Sequence, residues 1–102
     1  MTEAEIQKAC IELLCWAGWL VIRCNSGRTK NLPWVSWYDR SGKRHPKGVS
    51  DLLAIKGRIL AIECKAPGEE LRPDQRDFLR EAMEHGAMPL VIEDVKDLES
   101  YL

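Results

Sequence analysis

No apolar run in this sequence is longer than a few residues, far short of the roughly 20 a membrane-spanning helix requires. Nothing resembles a secretory leader: the opening MTEAEIQKAC carries acids where a leader carries basic residues, and a cytoplasmic protein is expected. Paired cysteines are missing too. Cys10, Cys15, Cys24 and Cys64 form no CxxC, and His45 and His85 lie far from any cysteine pair, so a zinc site has no ligands at workable spacing. The thiols are read as reduced and mostly buried. Repeats, linkers and low-complexity stretches are absent, and 102 residues accommodate one domain, spanning 1–102.

What the chain does have is unevenly placed. Its net charge is only -1. Yet between residues 23 and 47 the basic residues Arg23, Arg28, Lys30, Arg40, Lys43, Arg44 and Lys47 face a single acid, Asp39, leaving the remainder acidic. Trp34, Trp37 and Tyr38 are interleaved with these cations. A charge run is usually a solvated surface, but cations mixed with aromatics just before a group of carboxylates suit phosphate binding.

Periodicity gives the elements. Thr2-Glu3-Ala4-Glu5 matches a capping box, and Ile6, Ala9, Cys10, Leu13, Leu14 and Ala17 repeat at helical spacing until Gly18. Residues 19–25 (WLVIRCN) read as a strand, as do 32–39 (LPWVSWYD), followed by a turn (DRSGKR) and a loop (RHPKGVS). SDLLAIK and RILAIECK form two strands of a hairpin turning at Gly57. Pro73 opens a second helix with Gln75, Phe78, Leu79, Ala82 and Met83 on one face; MPLVIE is a last strand, and Asp94 caps a short terminal helix over 95–102. The predicted order is α-β-β-β-β-α-β-α, an α/β fold with a mixed sheet flanked by helices. Of the tryptophans, Trp16 and Trp19 are expected to pack. Trp34 and Trp37, three apart, should face opposite sides of their strand.

The chemistry concentrates in Asp51, eleven residues, then Glu63-Cys64-Lys65. Side chains alternate along RILAIECK, so Glu63 and Lys65 project from one face and Leu60, Ile62 and Cys64 from the other. A hairpin turning near 56–57 sets Asp51 opposite about residue 63. Two carboxylates can hold Mg²⁺ or Mn²⁺, with the Cys64 backbone carbonyl as a further ligand, and Lys65 can orient water or neutralise charge on a phosphate. An ordinary surface Asp beside a cross-strand Glu/Lys pair gives the same short pattern. However, acids ending two apolar strands need a reason, because unpaired charge is costly to bury.

G-V-S-D-L-L-A-I followed by I-L-A-I-E-C-K resembles the core of PD-(D/E)xK nucleases, and nearly the whole chain resembles their stand-alone VRR-NUC branch, which is similar to archaeal Holliday-junction resolvases. Val49-Ser50 stands where that pattern leads one to expect a proline before the Asp. The resemblance implies a restriction-endonuclease-like core and a metal-dependent DNA endonuclease, selective for branched DNA and acting as a homodimer. Asp51 and Glu63 match its metal-binding acids and Lys65 its motif lysine. Glu5 matches its first-helix acid, placed at the metal directly or through water, although the capping box claims the same residue. Gln75 matches the helix glutamine, and a boundary residue bonded to the backbone is the other reading. Ser26, Gly27, Arg28 and Lys30 match the basic, glycine-containing segment that approaches the DNA backbone, and Lys43, Arg44 and Lys47 are expected to join it. Other readings are a non-catalytic DNA-binding module, a nuclease of the same core acting on other nucleic acids, and a protein-binding domain.

Overall fold

The computed structural model describes residues 1–24 and 35–102. The first helix, α1, spans Glu3–Trp16, and its start is the capping box read from the sequence. The Glu5 N–H donates to Thr2 Oγ1 at 3.2 Å, and the Thr2 N–H donates back to Glu5 Oε1 at 3.1 Å. Gly18 ends it at a φ of +90°, a conformation open to glycine at little cost, and the Trp19 N–H folds back onto the Leu14 carbonyl.

Among the described residues six strands follow: β1 (Leu20–Arg23), β2 (Trp37–Tyr38), β3 (Arg44–His45), β4 (Leu52–Ile55), β5 (Ile59–Cys64) and, after helix α2 (Pro73–Glu84), β6 (Met88–Ile92). A 3-10 helix, Val95–Tyr101, completes the described elements, with the Asp94 side chain accepting from the Lys96 N–H as its cap. The main sheet runs β1-β4-β5-β6. Its first three strands are antiparallel, and β6 lies parallel to β5 because α2 carries the chain back across the sheet. The fold is therefore a mixed sheet flanked by helices, as expected.

Alternation divides the sheet into two faces. Leu60, Ile62 and Cys64 of β5 join Leu52, Ala54, Leu90 and Ile92 in a core closed by Ile6, Cys10 and Leu14 of α1 and by Leu98. Burying a side chain of this size is worth about 1.5–3 kcal/mol, so this layer carries most of the stability. The opposite face of β5 is also buried, at Ala61 and Glu63, and α2 places Gln75 and Leu79 among the buried residues there. All four cysteines are free; Cys10 and Cys64 are buried thiol to thiol, whereas Cys15 is exposed. Among the described residues no helix is long and apolar enough to cross a membrane.

Three details differ from the expectations. Trp19 is buried, with the Arg58 guanidinium over its ring, but Trp16 is 83% exposed on the outer side of α1. Met83 likewise lies outside the apolar face of α2. The segment 44–50, expected to be a loop, contributes β3, so among the described residues the order holds one more strand than predicted; of the strand expected over 32–39, residues 35–39 are described and only Trp37–Tyr38 form a strand, β2. The pairing rests on a side chain. Asp39 Oδ1 accepts from the Ser41 N–H (2.9 Å), the Ser41 hydroxyl (2.6 Å) and the Lys43 N–H (3.1 Å), while Oδ2 lies 2.8 Å from His45 Nε2. His45, then Ser41, holds the Asp39 carboxyl far below the usual carboxylate range.

The connection from β3 to β4 is pressed onto the first turn of α2. At Gly48 the φ is +107°, and a Cβ would lie 2.5 Å from the Asp74 carbonyl oxygen. Gly48→Ala is therefore expected to cost about 2–4 kcal/mol, from backbone strain and overpacking together. Urea denaturation of the two proteins measures it.

Candidate active site

The β4–β5 ladder ends with Leu52 opposite Ile62, and one further step sets Asp51 opposite Glu63. The expected register is thus the observed one. Ser50, fully buried, donates its hydroxyl to the Leu52 carbonyl at 3.0 Å and tightens the chain just before the acid. Asp51 joins the strands on either side of β4. Its carbonyl accepts from the Cys24 N–H beyond β1 (2.9 Å), and its Oδ2 accepts from the Cys64 N–H on β5 (2.8 Å).

Glu63 is 1% exposed. Its Oε1 accepts from Gln75 Nε2 at 3.0 Å, and Gln75 Oε1 accepts in turn from the Arg72 N–H at 2.9 Å. Gln75 therefore serves both readings of the sequence: it caps the start of α2 and reaches Glu63. Glu63 Oε2 is buried with no N–H or neutral hydroxyl donor among the described residues, so the neighbouring Asp51 carboxyl is its polar partner. Burial, then the neighbouring Asp51 as a like charge and as a partner for the shared proton, pushes the Glu63 carboxyl up to about 9; Lys65 and Arg72 oppose this. At neutral pH the pair accordingly keeps a proton.

Lys65 extends the parallel ladder by donating its N–H to the Ile92 carbonyl at 3.0 Å, and its buried ammonium lies 3.7 Å from Glu3 Oε1. The acid that α1 brings to the site is thus Glu3, not Glu5. Glu5 is exposed, and its carboxylate is held below the usual range by its bonds to Thr2, which engage it in the capping box. Burial, then the carboxylates of Glu69 and Asp51, raises the Glu3 carboxyl, while Lys65 lowers it. A signal for Glu3 was present in the sequence: positions 3, 6, 10 and 14 share one helical stripe, whereas 5 lies off it.

Of the residues expected at nucleic acid, Lys43, Arg44 and Lys47 are exposed on and after the β2–β3 hairpin. Ser26, Gly27, Arg28 and Lys30, together with Trp34, lie outside the described residues.

The donor set fits a hard divalent cation. Among the described residues no three His, Cys, Asp or Glu side chains are grouped for a metal. Two carboxylates and one main-chain oxygen would leave positions for water, as Mg²⁺ prefers. Extended backbone sends the N–H and C=O of one residue to the same side. Since the Cys64 N–H meets Asp51 and the Lys65 N–H meets β6, the Cys64 carbonyl lies on the Asp51 side. A cation there would take the place of the proton that the Asp51 and Glu63 carboxyls share.

This arrangement has a relative of known structure. The chain is similar in fold to a solved structure described as a VRR_NUC domain, with a TM-score of 0.67 over 98% of this chain and 94% of that one, at 22% sequence identity. No protein-family model and no curated protein matches the sequence. At that identity the likeness is one of fold.

The raised Glu63 carboxyl sets the pH dependence of folding. Between about 4.5 and about 9 the unfolded chain releases this proton and the folded chain retains it, so stability falls as pH rises through that window. Thermal unfolding of metal-free protein should show the decline, and Glu63→Gln should flatten it.

Proposed function

We propose that this protein is a metal-dependent endonuclease that hydrolyses DNA phosphodiester bonds, with branched DNA as its preferred substrate and a homodimer as its working form. The observation that carries the reading is the buried Asp51–Glu63 pair, two carboxyls close enough to share a proton and set beside Lys65 at one end of the sheet. A structural ion pair would not place two acids side by side at such a cost. The nuclease-type fold supports the reading, and the preference for branched DNA and the dimer follow from the resemblance to junction resolvases.

The chemistry supplied by Mg²⁺ or Mn²⁺ when bound is polarisation of a phosphate and acidification of a coordinated water. Asp51, Glu63 and the Cys64 carbonyl would hold the ion. The Cys64 N–H fixes one oxygen of Asp51, and Gln75 fixes one oxygen of Glu63, so the remaining oxygens are oriented in advance. Lys65, set by Glu3, offsets charge accumulating on the phosphate. Lys43, Arg44 and Lys47 contact the DNA backbone, so binding weakens with salt.

Cleavage of a four-way junction, a fork, a matched duplex and a single strand in Mg²⁺, Mn²⁺ or EDTA tests this directly. Wild type should cut only with metal, and Glu63→Ala or Lys65→Ala should lose about a hundredfold or more while still binding DNA. Cutting by either variant at the wild-type rate overturns the site. DNA binding without cutting on any substrate would indicate a binding module instead. Independently of activity, Mg²⁺ should raise the unfolding temperature of wild type and not of Asp51→Asn.

A further inference from the structure

The β2–β3 hairpin is more firmly built than two two-residue strands need to be, and a hairpin this short is at best marginally stable alone. Its inner face is fixed. Trp37 and His45, a cross-strand pair, stack with ring centroids 3.9 Å apart, and Trp37 meets Phe78 of α2 edge-on at 5.5 Å. Trp37 Nε1 donates to the Lys47 carbonyl at 3.0 Å, and the Arg40 N–H donates to Glu81 Oε1 on α2 at 3.1 Å. The hairpin's one carboxylate, Asp39, is engaged by Ser41, Lys43 and His45.

Pleating then presents the next pair outward. Tyr38 lies opposite Arg44; Tyr38 is 64% exposed, and Arg44 is exposed beside it. Arg40, Lys43 and Lys47, in and just after the same hairpin, are exposed as well. The result is a flat aromatic ring paired with a planar guanidinium, on a hairpin rich in exposed cations and held rigid from behind. The hairpin also leads straight to the acids. Two residues separate Gly48 from Asp51, and Gly48 rests on Asp74, the neighbour of Gln75 in α2.

We propose that the Tyr38–Arg44 face is a stacking platform for an unpaired DNA nucleotide beside the scissile bond, the surrounding cations holding its flanking phosphates. This rests on the nuclease reading and deepens it, because it names what makes a branched substrate different from a duplex. An aromatic face stacks on any exposed base, whereas paired bases offer only their edges and backbone. The rigid backing means that little ordering cost remains when the base arrives.

The test is fluorescence anisotropy with Ca²⁺ in place of Mg²⁺, comparing a forked DNA carrying unpaired arms with a blunt duplex of the same length. Wild type should prefer the fork. Tyr38→Ala should reduce that preference about tenfold, the loss typical of one base–aromatic stack, and Tyr38→Phe should retain it. An unchanged unfolding midpoint in Tyr38→Ala separates a lost platform from a damaged fold. Equal affinity of wild type for the two DNAs, or an unchanged preference in Tyr38→Ala, overturns the platform and leaves the nuclease reading standing. Failure of wild type to bind either DNA at low salt overturns both.

Discussion

Burying Glu63 against Asp51 is the constraint around which this molecule is arranged. A carboxyl at that depth is tolerated because a proton, the Gln75 amide and the neighbouring acid share the cost among them. Each of those partners depends on a different part of the fold. Asp51 requires the β4–β5 register, Gln75 requires α2 to begin where it does, and Lys65 requires β5 to continue alongside β6. The sheet thus does more than carry a core on its α1 face. Its other face gathers groups that would repel or strand one another anywhere less ordered.

The basic segment and the acidic site are parts of one construction. The β3–β4 connection crosses the first turn of α2 at Gly48, where only a residue without a side chain fits. That contact fixes the hairpin on one side and the start of β4 on the other. An electropositive surface and a buried pair of acids would otherwise be two separate properties of one chain, and here a short backbone path joins them.

Much of this was legible in the sequence where a simple period governs. Two-residue alternation along RILAIECK placed Glu63 and Lys65 together, and the glycine at 57 fixed the pairing with Asp51, both without any knowledge of packing. The capping box at Thr2 was equally local. What escaped depended on contacts made across the fold. Strand β3 exists because Asp39 and His45 lock a turn, which no period reports. The motif resemblance pointed to Glu5, which the helix start had already engaged, and passed over Glu3, which lies beside Lys65. Trp16 looks like core by type, yet it lies off the Ile6–Cys10–Leu14 stripe, and the helix turns it outward.

The Thr2–Glu5 box has a consequence beyond holding a helix together. Helix ends fray, opening and closing far faster than the whole protein unfolds. Glu3 lies within that first turn, so each opening carries its carboxylate away from Lys65. The pair of bonds at Thr2 and Glu5 therefore acts as a latch on the Glu3 side chain. The fraction of time for which the lysine keeps its counterion is governed by a helix-nucleation equilibrium at the far end of the chain from the β5 strand it serves.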